Sequence, residues 1–324
     1  MAVGTCACAA STMEAGGSDG SSAGSEASLL DAPVFDAPGD ETLGVGSDGV
    51  ATEGEPAEEV TDDAETAPIV TESIDGYDVT GPAGLSGADA FAQMTDAVSA
   101  YEALGYDVGF VLIDLGSGSQ VAYNADEAFY PASSIKGLYV TWLFEELVET
   151  GEVDEASIDS LVEDTIVLSD NDAYRTLRDR FGYDGFYAWC LEKGLTAPPD
   201  GSLDEWGYHN YPHSTANQFA TLWKAVYAYL ESDTEASQTL ASYFEQRETS
   251  PFKTAVGDRY ASWGKAGWYY EVMDDASPST CESGVILADD HPYLLAIMSN
   301  GPGTLDELAE VVVAIDAVAA ELAG

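Results

Sequence analysis

Apolar positions along this 324-residue chain change their pattern near residue 85. Up to that point they follow neither a helical nor a strand period, and beyond it they do. Residues 86–104 carry the spacing of an amphipathic helix. Val108 to Leu115 is an apolar run of strand length, Gly116-Ser117-Gly118 is turn chemistry, and Gln120 to Tyr123 returns as a second strand. Phe129-Tyr130-Pro131 leads into a helix that opens at Ser133, runs to about Glu149 and stops at Gly151. Helical periods follow at about 155–165, 170–181 and 184–193, and turn-forming residues fill 196–213. Ser214 is placed to cap a helix over 217–230, and another spans about 235–247. Strands are expected at about 259–266, 282–288 and 293–299. Thr304-Leu305-Asp306-Glu307 reads as a capping box that opens a last helix to about Leu322.

This order predicts an α+β fold. Strands from both ends of the folded region must share one antiparallel sheet, with the first and last helices flanking it. The central helices form a separate all-α lobe, and the cleft between lobe and sheet is the natural place for a site.

Composition divides the chain at the same point. Residues 1–85 hold 18 Asp and Glu, no Lys or Arg, and much Gly, Ser, Ala, Thr and Pro. Such a segment buries too little apolar surface to offset its ordering entropy, and its charge extends it. It is expected to be disordered, leaving residues 86–324 as the folded domain. The net charge is −49, and beyond residue 85 the 41 acidic residues against 10 basic still leave −31. That sign excludes a general nucleic-acid-binding surface. No apolar run is long enough to span a bilayer, and no signal-peptide apolar region is visible. Cys6 or Cys8, at the head of the polar segment, is a candidate for lipid attachment and a membrane tether. Cys190 and Cys281 are expected to stay unpaired. His209, His213 and His291 lack ligand spacing, so no metal is expected.

The chemistry gathers around Pro131-Ala132-Ser133-Ser134-Ile135-Lys136. One helical turn puts Ser133 and Lys136 on the same face. A serine hydroxyl becomes a nucleophile when a neighbouring base takes its proton, and a lysine serves if burial or nearby positive charge lowers its pKa. The backbone N–H of Ser133, at a helix start, is free to bind a developing oxyanion. Lys136 is the first basic residue of the chain, one of only five lysines, and lies in an apolar run. Two more stretches complete the set: Ser169-Asp170-Asn171, after Thr165-Ile166-Val167-Leu168, and Lys265-Ala266-Gly267 on the first late strand.

The ordered motifs S-x-x-K, S-D-N and K-x-G resemble those of the class A β-lactamase and penicillin-binding-protein superfamily of serine acyl-transferases. The resemblance spans about residues 85–324. It implies the β-lactamase/transpeptidase-like fold, with Ser133 as the acylated nucleophile and Lys136 as general base. It implies that Ser169 passes a proton to the leaving nitrogen and that Asn171 bonds the substrate amide or orients Lys136. Lys265 would hold a substrate carboxylate, Gly267 would leave room for substrate, and the N–H groups of Ser133 and Trp268 would form the oxyanion hole. Asp170 is read as structural, bonding backbone at its turn. Lys136 near Lys265 is expected to have a lowered pKa, and two cations in one cleft suit an anionic substrate.

The chain also departs from the pattern. Ser133 and Ser169 are 36 residues apart, about two dozen fewer than the family's usual spacing. Ala266 replaces a hydroxyl residue, and no Lys or Arg follows Lys265. In the 196–213 loop Glu205 and Asn210 stand five apart, where the family's Glu-x-x-x-Asn places them four apart, so Glu205 is a weak candidate for activating the deacylating water. The expectation is an exported extracellular or cell-surface serine hydrolase, monomeric and without cofactor. It would act through an acyl-enzyme on β-lactams or peptidoglycan-like peptides, with slow deacylation. The rival readings are a D,D-peptidase or transpeptidase, and a non-catalytic module that binds cell-wall peptide or protein.

Overall fold

The structure is a computed structural model and describes residues 68–199, 201–273, 276–289 and 291–323. Among the described residues seven strands form one sheet. They are β1 (Ile69–Ile74), β2 (Tyr77–Pro82), β3 (Val108–Asp114), β4 (Gln120–Tyr123), β5 (Ala261–Tyr269), β6 (Ser279–Leu287) and β7 (Tyr293–Ser299). The spatial order is β1-β2-β4-β3-β7-β6-β5, and every neighbouring pair is antiparallel. The last three strands therefore insert beside β3, and β5 ends as an edge.

The central strands read as unbroken apolar runs because both of their faces are covered. Phe110 and Leu112 of β3 and Leu295 and Ile297 of β7 join one core. On that side lie α1 (Asp89–Glu102) and α9 (Leu305–Leu322), which contribute Phe91, Met94, Val312 and Ile315. The alternate residues Val111, Leu294, Ala296 and Met298 join the other core. That core continues into the helical lobe: α2 (Ile135–Trp142, extended by a π-turn over Leu143–Val148), α3 (Asp159–Ile166), α4 (Asn171–Phe181), α5 (Asp184–Glu192), α6 (Ala216–Leu230) and α7 (Glu235–Gln246). The short α8 (Pro251–Val256) leads back to the sheet. No helix among the described residues is long and apolar enough to cross a membrane.

Four expectations need correction. The boundary at residue 86 falls too late, because β1 and β2 lie before it and β2 pairs with β4. Tyr77 and Val79 on β2 are buried, whereas β1, bonded on one side only, is mostly exposed and so lacks an apolar signature. The remainder of the expected disordered segment, residues 1–67, with Cys6 and Cys8, lies outside the described residues. The cap of α6 is Thr215, not Ser214: Thr215 Oγ1 accepts from the Gln218 N–H, and Gln218 Oε1 accepts from the Thr215 N–H. The capping box at Thr304 does not form, because its hydroxyl is taken by Tyr101, 2.6 Å away. The pattern at 235–247 ends one residue early, and α8 follows it. Cys190 and Cys281 are free and buried, as expected.

Candidate active site

The three motifs meet where the edge strand β5 touches the turn that starts α2. Ser133 lies in a 3-10 turn, Ala132–Ser134, that continues into α2. Ala132 holds a left-handed φ of 44°, and Ser134 anchors the turn through its hydroxyl to Pro131 O at 2.7 Å. Gly267 of β5 faces this turn. A Cβ there would fall 2.5 Å from Pro131 O and Ser134 N and 2.6 Å from Ser133 N. Only a glycine lets the strand run this close to the backbone amides of the nucleophile turn. An edge strand also leaves alternate N–H groups unpaired, and Trp268, half-buried, follows directly.

Lys136 is fully buried. Its ammonium donates to Ser169 O at 2.7 Å, Asp170 O at 3.3 Å and Asn171 Oδ1 at 2.7 Å. Lys265, also buried, donates to Ser169 Oγ at 2.9 Å and Ala266 O at 2.8 Å. Ser169 is thus held by one lysine at its carbonyl and by the other at its hydroxyl. It needs that hold, since its φ of 59° is left-handed and such a residue stores about 1–3 kcal/mol of strain. Asp170 caps α4 by accepting from Ala173 N at 2.7 Å, the structural role expected of it. The four residues Lys136, Ser169, Asn171 and Lys265, predicted from three separate stretches, therefore make one cluster, with Ser133 one turn from Lys136.

Burial, together with the neighbouring Lys136 charge, pushes the Lys265 ammonium well below the usual lysine range; Glu282 opposes this shift and Arg247 adds to it. Arg247 and Glu282 were not singled out in the sequence. They form a fully buried ion pair, Nε to Oε1 at 2.9 Å. Arg247 also donates to Phe244 O and Ser262 O, and Glu282 accepts from Ser250 Oγ and Phe252 N. Ala266 pairs with Glu282 across the strands, so residue 266 shares a face with this ion pair while Lys265 and Gly267 share the other. A Cβ on Gly264, two residues from Ala266, would come within 3.2 Å of Arg247 Nη2.

Glu205 turns to His213 instead of the lysine cluster. Its Oε2 accepts from His213 N at 2.7 Å and lies 3.0 Å from His213 Nδ1. Burial pushes its carboxyl up, but the bonds from His213 outweigh this and hold it below the ordinary value.

Solved structures share this architecture. A β-lactamase from Sphaerobacter thermophilus matches with a TM-score of 0.56 at 18% identity, covering 72% of this chain and 97% of that one. A variant of PBP-A, solved as an acyl-enzyme complex with penicillin G, matches at 0.54 and 17%, covering 70% and 96%. A β-lactamase from Desulfarculus baarsii matches at 0.56 and 16%, covering 71% and 97%. The expected β-lactamase/transpeptidase-like fold is thus shown. Among curated proteins no sequence matches. The sequence model of the beta-lactamase enzyme family matches residues 90–156 and 150–323, so the chain belongs to that family.

Proposed function

We propose that this protein is a serine hydrolase that opens β-lactams through an acyl-enzyme on Ser133, with deacylation the slower step. The observation that carries the reading is the pair of buried lysines on either side of Ser169. Two buried ammonium groups this close disfavour one another's charge, and a lysine that readily gives up its proton can move protons in acyl transfer. Ser133 Oγ attacks the lactam carbonyl and passes its proton to Lys136. The oxyanion is received by the N–H groups of Ser133 and Trp268, at the contact that Gly267 permits. Ser169, set between the two lysines, relays the proton taken up by Lys136 to the departing nitrogen, Asn171 orients Lys136 or bonds the substrate amide, and Lys265 draws the substrate carboxylate. In a chain of charge −49, these buried cations make a local site for an anion.

The position of Glu205 favours slow deacylation, since its carboxylate is already occupied by His213. The same observation favours a second reading, a D,D-peptidase or a transpeptidase acting on peptidoglycan peptides, the transpeptidase passing its acyl group to an amine instead of water. A non-catalytic module has no need of two desolvated lysines at a strained serine. Both enzymatic readings imply work outside the cytoplasm, where β-lactams and cell-wall peptides are met. A stopped-flow trace with a chromogenic cephalosporin tests the proposal. A stoichiometric burst followed by a slower steady phase is expected. A linear trace without a burst contradicts slow deacylation, and no reaction at all contradicts β-lactam opening.

A further inference from the structure

The buried pair Arg247–Glu282 takes no part in the mechanism above, and a buried ion pair adds little net stability for its own sake. Its bonds show what it holds. The Arg247 guanidinium reaches β5 through Nη1 to Ser262 O at 2.6 Å and Nη2 to Ser262 Oγ at 2.8 Å, and the end of α7 through Nη1 to Phe244 O at 2.7 Å. Glu282, on β6, accepts from Ser250 Oγ at 2.7 Å and from Phe252 N at 2.8 Å. The segment 247–252 is thereby fastened at both ends to the strand pair that carries Lys265, three residues beyond Ser262. Lys253 Nζ donates to Arg247 O at 2.9 Å and so fixes the peptide that leads into residue 248.

The same segment is bonded to the other wall of the site. Glu248 N–H donates to Val167 O at 3.1 Å. α3 ends at Val167, so this carbonyl is one that the helix itself leaves unpaired. Two residues on is Ser169, left-handed at a φ of 59°, and the next N–H, from Asp170, returns to Asp164 O at 3.0 Å. A closed ring results. On one side Lys265 Nζ meets Ser169 Oγ at 2.9 Å; on the other, Ser262, Arg247, Glu248 and Val167 join β5 to the Ser169 turn. The second side fixes how far that turn stands from β5, and so where Ser169 Oγ meets Lys265.

We propose that Arg247 is a positioning residue for acylation, which acts through the Glu248 N–H to set the Ser169 turn at proton-transfer distance. This rests on the acyl-enzyme reading above. In that step Ser133 Oγ forms the ester as the lactam C–N bond breaks, and the nitrogen leaves with the proton that Ser169 relays from Lys136. A proton transfer needs its heavy atoms within about 2.6–3.2 Å, whereas the attraction of Lys265 for a substrate carboxylate falls only gradually with distance. A displaced Ser169 turn therefore slows bond breaking and leaves the first binding of the penicillin in place.

Quenched-flow intact mass with a penicillin measures the acylation rate and the Kd of the initial complex separately. The proteins compared are the wild type, Glu248→Pro, which removes the N–H, Glu248→Ala, which keeps it, and Arg247→Met/Glu282→Leu, which removes the ion pair without stranding a charge. Arg247, at φ −47° and ψ 134°, already has the extended backbone that a following proline requires. Glu248→Pro and the double variant are expected to acylate about 10²-fold more slowly, the loss for a displacement of about 1 Å, with Kd unchanged. Glu248→Ala should match the wild type. Thermal unfolding in parallel separates position from stability, since a merely structural pair would let the double variant regain its acylation rate together with its Tm. That result overturns the role, as does wild-type acylation by Glu248→Pro or a loss that falls on Kd alone. If Glu248→Pro does not fold, the double variant decides by the same criteria. An adduct that never forms in the wild type overturns the acyl-enzyme reading, a distinct failure that removes this role with it.

Discussion

Replacing Gly267 by alanine adds one methyl group at the tightest contact of the site. That Cβ would stand 2.5 Å from Pro131 O and Ser134 N and 2.6 Å from Ser133 N, where ordinary contact begins at 3.4 Å. The strand and the nucleophile turn must therefore part by about 0.9 Å. All three atoms are backbone, so no side chain can swing aside. Neither partner yields easily: β5 is in register with β6 over its whole length, and the turn is continuous with the buried α2. Overpacking of this kind costs about 1–3 kcal/mol. The larger effect falls on chemistry, because a displacement of about 1 Å between reacting groups costs about 10²-fold in rate. The assay is the rate of labelling by a fluorescent penicillin, with thermal unfolding in parallel. Gly87→Ala is the control, since its Cβ would meet nothing within 4 Å. Gly267→Ala is expected to label about 10²-fold more slowly with a lowered Tm. Labelling at the wild-type rate with an unchanged Tm would refute the argument that this contact sets the oxyanion geometry.

Three further outcomes follow from the same structure. A chain starting at residue 68 should keep the parent's Tm, whereas one starting at 86 loses β1, β2 and the buried Tyr77, Val79 and Leu85, worth about 1.5–3 kcal/mol each; equal thermal unfolding of both would show that the two strands add nothing. Arg247→Met leaves Glu282 buried without its cation partner and should cost about 3–5 kcal/mol in urea unfolding, with much of it restored by adding Glu282→Leu; a loss that the second change deepens would contradict this. Because the Lys265 pKa lies below its ordinary 10.5, the unfolded chain holds that proton more tightly, so its contribution to stability rises with pH between the two values and flattens above 10.5. Lys265→Met should abolish that rise along with penicillin labelling, and an identical pH slope in variant and wild type would contradict the assignment.

The site was legible where its chemistry is local. Ser133 and Lys136 are one turn apart, S-D-N follows the apolar run Thr165-Ile166-Val167-Leu168, and K-x-G sits on an expected strand. Arg247 and Glu282 were not, because 35 residues separate them and only the return of β6 beside β5 closes the pair. A carboxylate in the strand expected at 282–288 was the available signal. His213 was dismissed for lacking ligand spacing, but its partner is a single carboxylate eight residues back in an irregular loop, where no period exists to read. For β1 and β2 the acidic, glycine-rich surroundings outweighed a short alternation at Tyr77, Val79 and Gly81. Thr304 shows the opposite error: a sound local motif lost to a tertiary partner, Tyr101.

The central claim is that Ser133 carries the acyl group. The direct measurement is peptide mapping by mass spectrometry after exposure to a penicillin, on the wild type and on Ser133→Ala. The account predicts a single adduct, equal in mass to the intact penicillin, on the peptide holding Ser133, and none in the variant. An adduct on Ser134, or one that survives Ser133→Ala, would contradict it.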